Sequence, residues 1–93
     1  MITYRKSENF ILRKIAGSHV LISVGNNIAN LDGYIQLNET AYFLWERLTV
    51  PCTKEELTAA LENEFSIDHD TAEKELTDLL IKMEQNNMVI VDE

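Results

Sequence analysis

Three side chains of this sequence have the chemistry to bind a metal or act as a nucleophile: His19, Cys52 and His69. A metal site needs several thiolate, imidazole or carboxylate ligands in one place, and the chain contains no Cys-x-x-Cys or His-x-x-x-His spacing. A catalytic thiol needs a base beside it, whereas Cys52 follows Pro51 in a predicted connection with no histidine nearby. We therefore expect no metal site, no catalytic nucleophile and no cofactor.

Paired carboxylates are the remaining candidates for acid–base chemistry, and the sequence has three such pairs: Glu55 with Glu56, Glu62 with Glu64, and Glu73 with Glu75. Catalytic carboxylates need surroundings that perturb their pKa values, but these alternate with polar residues on predicted solvent faces. A phosphate-binding loop would need a glycine-rich turn leading into a helix, and all three glycines lie beside predicted strands. The residue types therefore favour a protein that is not an enzyme.

Length and composition predict one domain over residues 1–93. No apolar run reaches the ~18 residues of a membrane span, and the N-terminus lacks the apolar stretch of a signal peptide. With Cys52 as the single cysteine, no internal disulfide can form, which fits a reducing compartment. These features predict a cytoplasmic protein without a membrane partner.

The net charge of −8 is unevenly distributed. Residues 1–37 carry four basic and two acidic side chains, a balance of +2, whereas residues 38–93 carry four basic and fourteen acidic ones, a balance of −10. Nucleic-acid binding needs cationic side chains that displace counterions from phosphates, so we expect no nucleic-acid partner. An acidic surface favours a basic peptide or protein patch, or only keeps the chain soluble; both interpretations stay open.

The first 37 residues predict a small antiparallel sheet. Phe10 to Ala16 and His19 to Val24 have strand patterns, and the short connection at Gly17-Ser18 predicts a hairpin. Further turns are predicted at Gly25 to Asn27 and at Asn30 to Asp32. The period-2 alternation after Gly33 predicts a third strand, Gly33 to Leu37. Three short strands are marginal alone, so the sheet must pack on helices.

The third strand leads almost directly into the first of three predicted helices. Asn38 is a preferred N-cap residue for a helix from Glu39 to about Leu48. One face of that helix carries Ala41, Leu44, Trp45 and Leu48. A second helix begins at Thr53, where Glu56 completes a capping-box spacing, and Phe65 is its expected last anchor.

The third predicted helix is the longest. Asp68 is its expected N-cap, and Asn86-Asn87 its expected end, because Asn tolerates the left-handed conformation. Its predicted apolar stripe consists of Ala72, Leu76, Leu79, Leu80 and Met83, with Leu80 at the margin. Met88 to Val91 is a candidate for a short last strand. The fold class is therefore α+β, of a winged-helix-like type: a three-stranded N-terminal sheet, three helices and a candidate C-terminal strand.

These residues resemble the pyrroloquinoline-quinone biosynthesis protein D (PqqD) family, whose fold is also called the RiPP recognition element. The resemblance covers about Phe10 to Ile90, and its specific part is the central string. The matching motifs are Gly33-x-Ile35-x-Leu37-Asn38-Glu39-Thr40, Leu44-Trp45-Glu46-x-Leu48 and Thr53-x-Glu55-Glu56-Leu57.

The resemblance implies a non-catalytic peptide chaperone. Such a domain binds the leader segment of a ribosomally synthesised precursor peptide and presents it to a modifying enzyme, such as a radical S-adenosylmethionine enzyme. It also implies that the leader adds as a strand to the edge of the third strand, in a groove closed by the third helix. Main-chain hydrogen bonds to a free sheet edge and pockets for alternate side chains make such binding physically reasonable.

The alternation of the third strand indicates its two faces. If Ile35 and Leu37 face the core, Tyr34 and Gln36 face the other side, and Gly33 has no side chain to block an approaching strand. We therefore expect residues 33–37 to contact the peptide.

On the third helix, Ile81 lies nearly opposite the apolar stripe, beside Thr77 and Lys74. An apolar residue on that face is either a partner contact or one of the single exposed apolar residues that are common on protein surfaces. We expect Lys74, Thr77, Ile81 and the marginal Leu80 to contribute to peptide binding.

Other functions stay open on the sequence alone. A winged-helix DNA-binding regulator needs a basic recognition helix, but residues 68–86 carry six acidic side chains against Lys74 and Lys82. A small enzyme has no supporting set of residues. A structural dimerisation domain is a further alternative, because an unpaired sheet edge can pair with a second copy, which makes a homodimer a candidate assembly.

Overall fold

The computed structural model of the chain describes residues 1–23 and 34–93. The predicted turns at residues 25–27 and 30–32, and Gly33 at the start of the predicted third strand, lie outside the described residues. The order of elements is β1 (Thr3–Lys6), β2 (Phe10–Ile15), β3 (Ser18–Ser23), β4 (Ile35–Leu37), α1 (Glu39–Arg47), α2 (Lys54–Phe65), α3 (His69–Gln85) and β5 (Val89–Asp92). The α+β class is therefore confirmed.

Strands β2, β3 and β4 form the predicted antiparallel sheet in that spatial order. The hairpin turn lies one residue earlier than predicted, because Ile15 pairs with Ser18 and leaves Ala16 and Gly17 at the corner. Both corner residues have positive φ, 51° for Ala16 and 85° for Gly17. Two positive values are what a type I′ hairpin requires, since that turn matches the twist of its strands.

A second sheet of two antiparallel strands joins the chain ends, and the sequence predicted only half of it. β5 is the expected C-terminal strand, but its partner β1 was missed. On its other side β1 contacts the α1–α2 connection, where the Tyr4 amide donates to the Cys52 carbonyl at 2.7 Å and the Cys52 amide donates back at 2.9 Å. Four residues with no clear alternation gave too weak a signal for β1.

All three helices begin at the predicted N-caps. The Asn38 side chain accepts from the Ala41 amide at 2.8 Å, and the Asp68 side chain accepts from the Thr71 amide at the same distance. Thr53 forms the predicted capping box, in which its hydroxyl accepts from the Glu56 amide while Glu56 accepts from the Thr53 amide. Each cap satisfies amides that the first turn of a helix leaves unpaired.

The core lies between the three-stranded sheet and the helices. The predicted face of α1 is buried throughout, and Trp45 makes an edge-to-face contact with Phe10 of β2, with ring centroids 6.3 Å apart. α3 contributes Ala72, Leu76, Leu80 and Met83, of which none is more than 2% exposed. Leu80 is therefore a central core residue, and Leu79 is the marginal one, the reverse of the prediction.

Candidate functional site

β4 is the last strand of its sheet. It pairs with β3, with Leu37 opposite His19 and Ile35 opposite Leu21, and the strand order leaves its other side free within the described residues. Successive backbone groups of a strand point alternately to its two sides, so β4 offers hydrogen-bonding groups on that free side.

A groove of about 230 Å³ lies beside this edge, between β4 and the last turns of α3. It is lined by residues of β4 and α3, by the start of α1, and by residues that connect these elements to the rest of the chain. The ten lining residues are Ile35, Gln36, Leu37, Asn38, Ala41, Leu79, Lys82, Met83, Asn86 and Met88.

The strand side of the groove is held in place by α1. Asn38 directly follows β4 and is the N-cap of α1. A single residue therefore connects the strand to the helix, without a flexible loop. Behind them, His19 of β3 stacks on Tyr42 of α1, with ring centroids 3.7 Å apart and planes 13° from parallel. A hydrogen bond to Glu46, followed by the charge of that carboxylate, raises the pKa of Tyr42. The stacked pair fixes α1 against β3 behind the strand side of the groove.

The helix side of the groove is built by the end of α3. The Asn86 side chain donates to the Lys82 carbonyl at 2.8 Å, and Asn87 adopts the predicted left-handed conformation, with φ of 58°. The Met88 amide then donates to the Met83 carbonyl at 2.8 Å, which turns the chain back and buries Met88 beside Met83. This is the closure pattern of a helix C-terminus.

The structure brings the predicted strand residues to the groove. Ile35, Gln36 and Leu37 all line it. Leu37 is buried and Ile35 half-buried, while Gln36 is exposed, as the alternation predicted. The Gln36 side chain donates to the Ser18 hydroxyl at 3.2 Å. Tyr34 precedes β4 and is 58% exposed.

The four predicted residues of α3 lie elsewhere. Leu80 is in the core, and Ile81 is 48% exposed and does not line the groove. Lys74 and Thr77 line a separate depression with Asp70, Glu73 and Asp78. At about 100° per residue, Ile81 and Thr77 each point about 200° away from Leu79, on the opposite side of the helix.

Sequence reasoning missed the α3 residues that do line the groove, which are Leu79, Lys82, Met83 and Asn86. Their spacing of three, four and seven residues places them on one helical face. The sequence contained one usable signal: Leu79 and Leu80 are adjacent, so both cannot lie at the centre of one stripe. The sequence did not indicate on which side of the stripe the sheet would lie.

Cys52, which was considered as a nucleophile in the sequence analysis, is a buried structural thiol. Cys52 is 8% exposed, and its Sγ donates to the carbonyl oxygens of Arg47 and Val50 at 3.4 and 3.3 Å. Burial raises the pKa of this thiol, which keeps it protonated. The residues around it line a larger depression, of about 420 Å³, and none of its described lining residues belongs to a strand.

Two properties of the described residues bear on the expected function classes. In residues 1–23 and 34–93, no three His, Cys, Asp or Glu side chains are grouped so that they could hold a metal ion. Every helix in the same ranges is too short or too polar to cross a bilayer.

The family model described as "Coenzyme PQQ synthesis protein D (PqqD)" matches residues 18–89, which is most of the chain. This chain belongs to the PqqD family. The match includes β3, β4, all three helices and the start of β5, and it therefore contains the whole groove. No curated protein sequence matches this PqqD-family chain.

Two solved structures share the fold of this PqqD-family chain. One is described as "Lasso peptide synthetase B1 complexed with the leader peptide", with a TM-score of 0.72, 21% identity, and coverage of 94% of this chain and 96% of that one. The other is described as TbiB1 in complex with the TbiA(beta) leader peptide, with a TM-score of 0.72, 22% identity, and coverage of 91% and 93%. The likeness covers nearly all of each chain, so the fold is shared as a whole.

Proposed function

We propose that this PqqD-family chain binds the leader segment of a ribosomally synthesised precursor peptide and presents it to a modifying enzyme, such as a radical S-adenosylmethionine enzyme. The leader adds as a strand to the free edge of β4, and the chain itself takes no catalytic part. The observation that carries the proposal is the edge of β4, which pairs with no other strand of the described residues, beside a largely apolar groove.

The geometry of the groove supports this mode of binding. An added strand obtains affinity from main-chain hydrogen bonds to β4 and specificity from alternate side chains that enter pockets. Strand side chains alternate between two faces, so those that face α3 would meet Leu79, Met83 and Met88. Both similar solved structures are described as complexes with leader peptides, which supports the same class of ligand here.

The alternatives receive less support. Neither similar structure is described as a DNA complex, and α3 retains its excess of acidic side chains. Pairing of β4 with a second copy would use the same edge as the leader, so it predicts a dimer that the leader dissociates.

A titration followed by nuclear magnetic resonance tests the proposal. The probe is the leader peptide of a precursor encoded beside this gene, added to the labelled full chain. Binding should shift the backbone amides of residues 35–37 and of Leu79 to Asn86. A copy of the peptide with N-methylated amides keeps the side chains but loses the donors, and it should bind far more weakly. Shifts confined to α2, or equal binding of both peptides, would contradict the proposed strand addition.

A further inference from the structure

Charge is distributed differently in the groove than over the molecule as a whole. The chain has a net charge of −8, yet Lys82 is the only charged residue among the ten that line the groove in the described part of the chain. The remaining lining residues are apolar or carry amides. A ligand that contacts these ten residues therefore meets one cation and no anion.

Among the described residues, Lys82 forms no ion pair. Within residues 1–23 and 34–93, no carboxylate lies within 4.0 Å of it, and the ion pairs that do form join Arg5 to Asp92 and His69 to Glu62 and Glu73. Asp78, four residues before Lys82, lines the depression beside Lys74 instead. A lysine in the last turn also interacts favourably with the helix dipole. This interaction does not prevent the ammonium from pairing with an anionic group of a ligand.

The surroundings of Lys82 favour a carboxylate as that partner. Ile35 and Leu79 are half-buried and line the groove, so a strand lying there would cover apolar side chains and exclude water beside the ammonium. An ion pair with fewer waters around it is screened less than one on an open surface. The acidic surface of the helices acts at longer range, where salt screens it.

We propose that the bound segment carries an aspartate or glutamate that pairs with Lys82, at even spacing from apolar side chains that enter the groove. Side chains at i, i+2 and i+4 of a strand share one face, so the acidic residue and the apolar residues lie on the face directed at α3. This inference rests on the proposed function and specifies the sequence that the site selects. An acidic ligand residue differs from the basic partner that was one of the two interpretations of the net charge.

Selection from a displayed library of random short peptides tests the inference with the full chain as bait. The natural protein should enrich peptides in which an acidic residue alternates with apolar ones. Lys82→Glu should enrich a basic residue at that position instead. Lys74→Glu makes the same charge change on another face of α3, and it should select the same peptides as the natural protein.

Affinities of one enriched peptide complete the test. Lys82→Met should weaken its binding about fivefold and Lys82→Glu by about tenfold or more, with Lys74→Glu within about twofold. Apolar peptides enriched without an acidic position, or equal effects of the two Glu variants, would overturn this inference and leave the proposed function standing. Enriched peptides that leave the amides of residues 35–37 unshifted would overturn both.

Discussion

Leu79 and Ile81 are two residues apart on α3 but point to opposite sides of it, which makes them a matched pair for substitution. Leu79 is half-buried and lines the groove, whereas Ile81 is 48% exposed and does not. If a bound strand covers about 40 Å² of Leu79 and a similar area of its own, the contact contributes about 2 kcal/mol at roughly 25 cal/mol per Å². Truncation removes most of this, so Leu79→Ala should weaken leader binding by about 1–1.5 kcal/mol, or about five- to twelvefold.

Ile81→Ala is the control, and it should change the affinity by less than about twofold and the stability by about 0.5 kcal/mol at most. Leu79→Ala should also lower the free energy of unfolding by about 1–2 kcal/mol, less than a fully buried leucine would cost. Isothermal titration of the leader peptide into each variant, with urea unfolding to establish that each is folded, separates the two effects. Weaker binding by Ile81→Ala with natural affinity in Leu79→Ala would refute the groove and restore the opposite face of α3 as the contact surface.

Three further outcomes test the structure around the groove. Ala16→Gly should raise the free energy of unfolding by about 0.5–1 kcal/mol, because Ala16 has a left-handed φ of 51°. The same change at Ala59, which is exposed on a helix, should lower the free energy of unfolding by about 1 kcal/mol. If urea unfolding showed that both substitutions change the free energy of unfolding in the same direction, the left-handed conformation of Ala16 would be contradicted. A hydrogen bond that His69 donates to Glu62, followed by the charge of that carboxylate, raises the pKa of His69. Its stabilising contribution is therefore complete below about pH 6.5 and is lost as the pH rises through the folded-state pKa. His69→Gln should cost more stability at about pH 5.5 than at about pH 8, and an equal cost in urea unfolding at both would contradict the ion pair. Asn38→Ala and Thr53→Ala should each cost about 1 kcal/mol as lost N-caps, but only Asn38→Ala should weaken leader binding in calorimetry; equal binding losses would contradict the role of the β4–α1 corner.

Local signals in the sequence were sufficient for most of the fold. N-caps act through atoms within three residues, so Asn38, Thr53 and Asp68 could be recognised from sequence alone. The left-handed Asn87 and the buried face of α1 are local in the same sense. The PqqD-like motifs include Asn38, Thr53 and part of the buried face of α1, which is why the family could be recognised as well.

The features that were not predicted correctly from the sequence depend on contacts between different elements of the fold. β1 is a strand because β5 and Cys52 pair with it, and both lie far along the chain. The hairpin register was set by the pairing of Ile15 with Ser18 and not by the glycine alone. The position of β4 determines which side of α3 faces the groove. The apolar stripe of α3 carries no information about that position. Tertiary packing therefore placed Leu79, and not Ile81, beside the groove, while the contact of Ile81 with a peptide stays a prediction.

The sheet has two end strands, β2 and β4, and only one of them suits an added peptide. β2 carries Arg13 and Lys14, and the Arg13 guanidinium donates to the Leu12 carbonyl of its own strand at 3.0 Å. Charged side chains on an edge strand oppose pairing with another strand. β4 has no charged residue, and α3 stands beside it. A strand added at β4 gains both main-chain hydrogen bonds and an apolar surface for every second side chain, because the groove lies along that edge. Peptide selectivity should therefore follow the α3 residues of the groove, while the backbone of β4 contributes affinity that is nearly independent of peptide sequence.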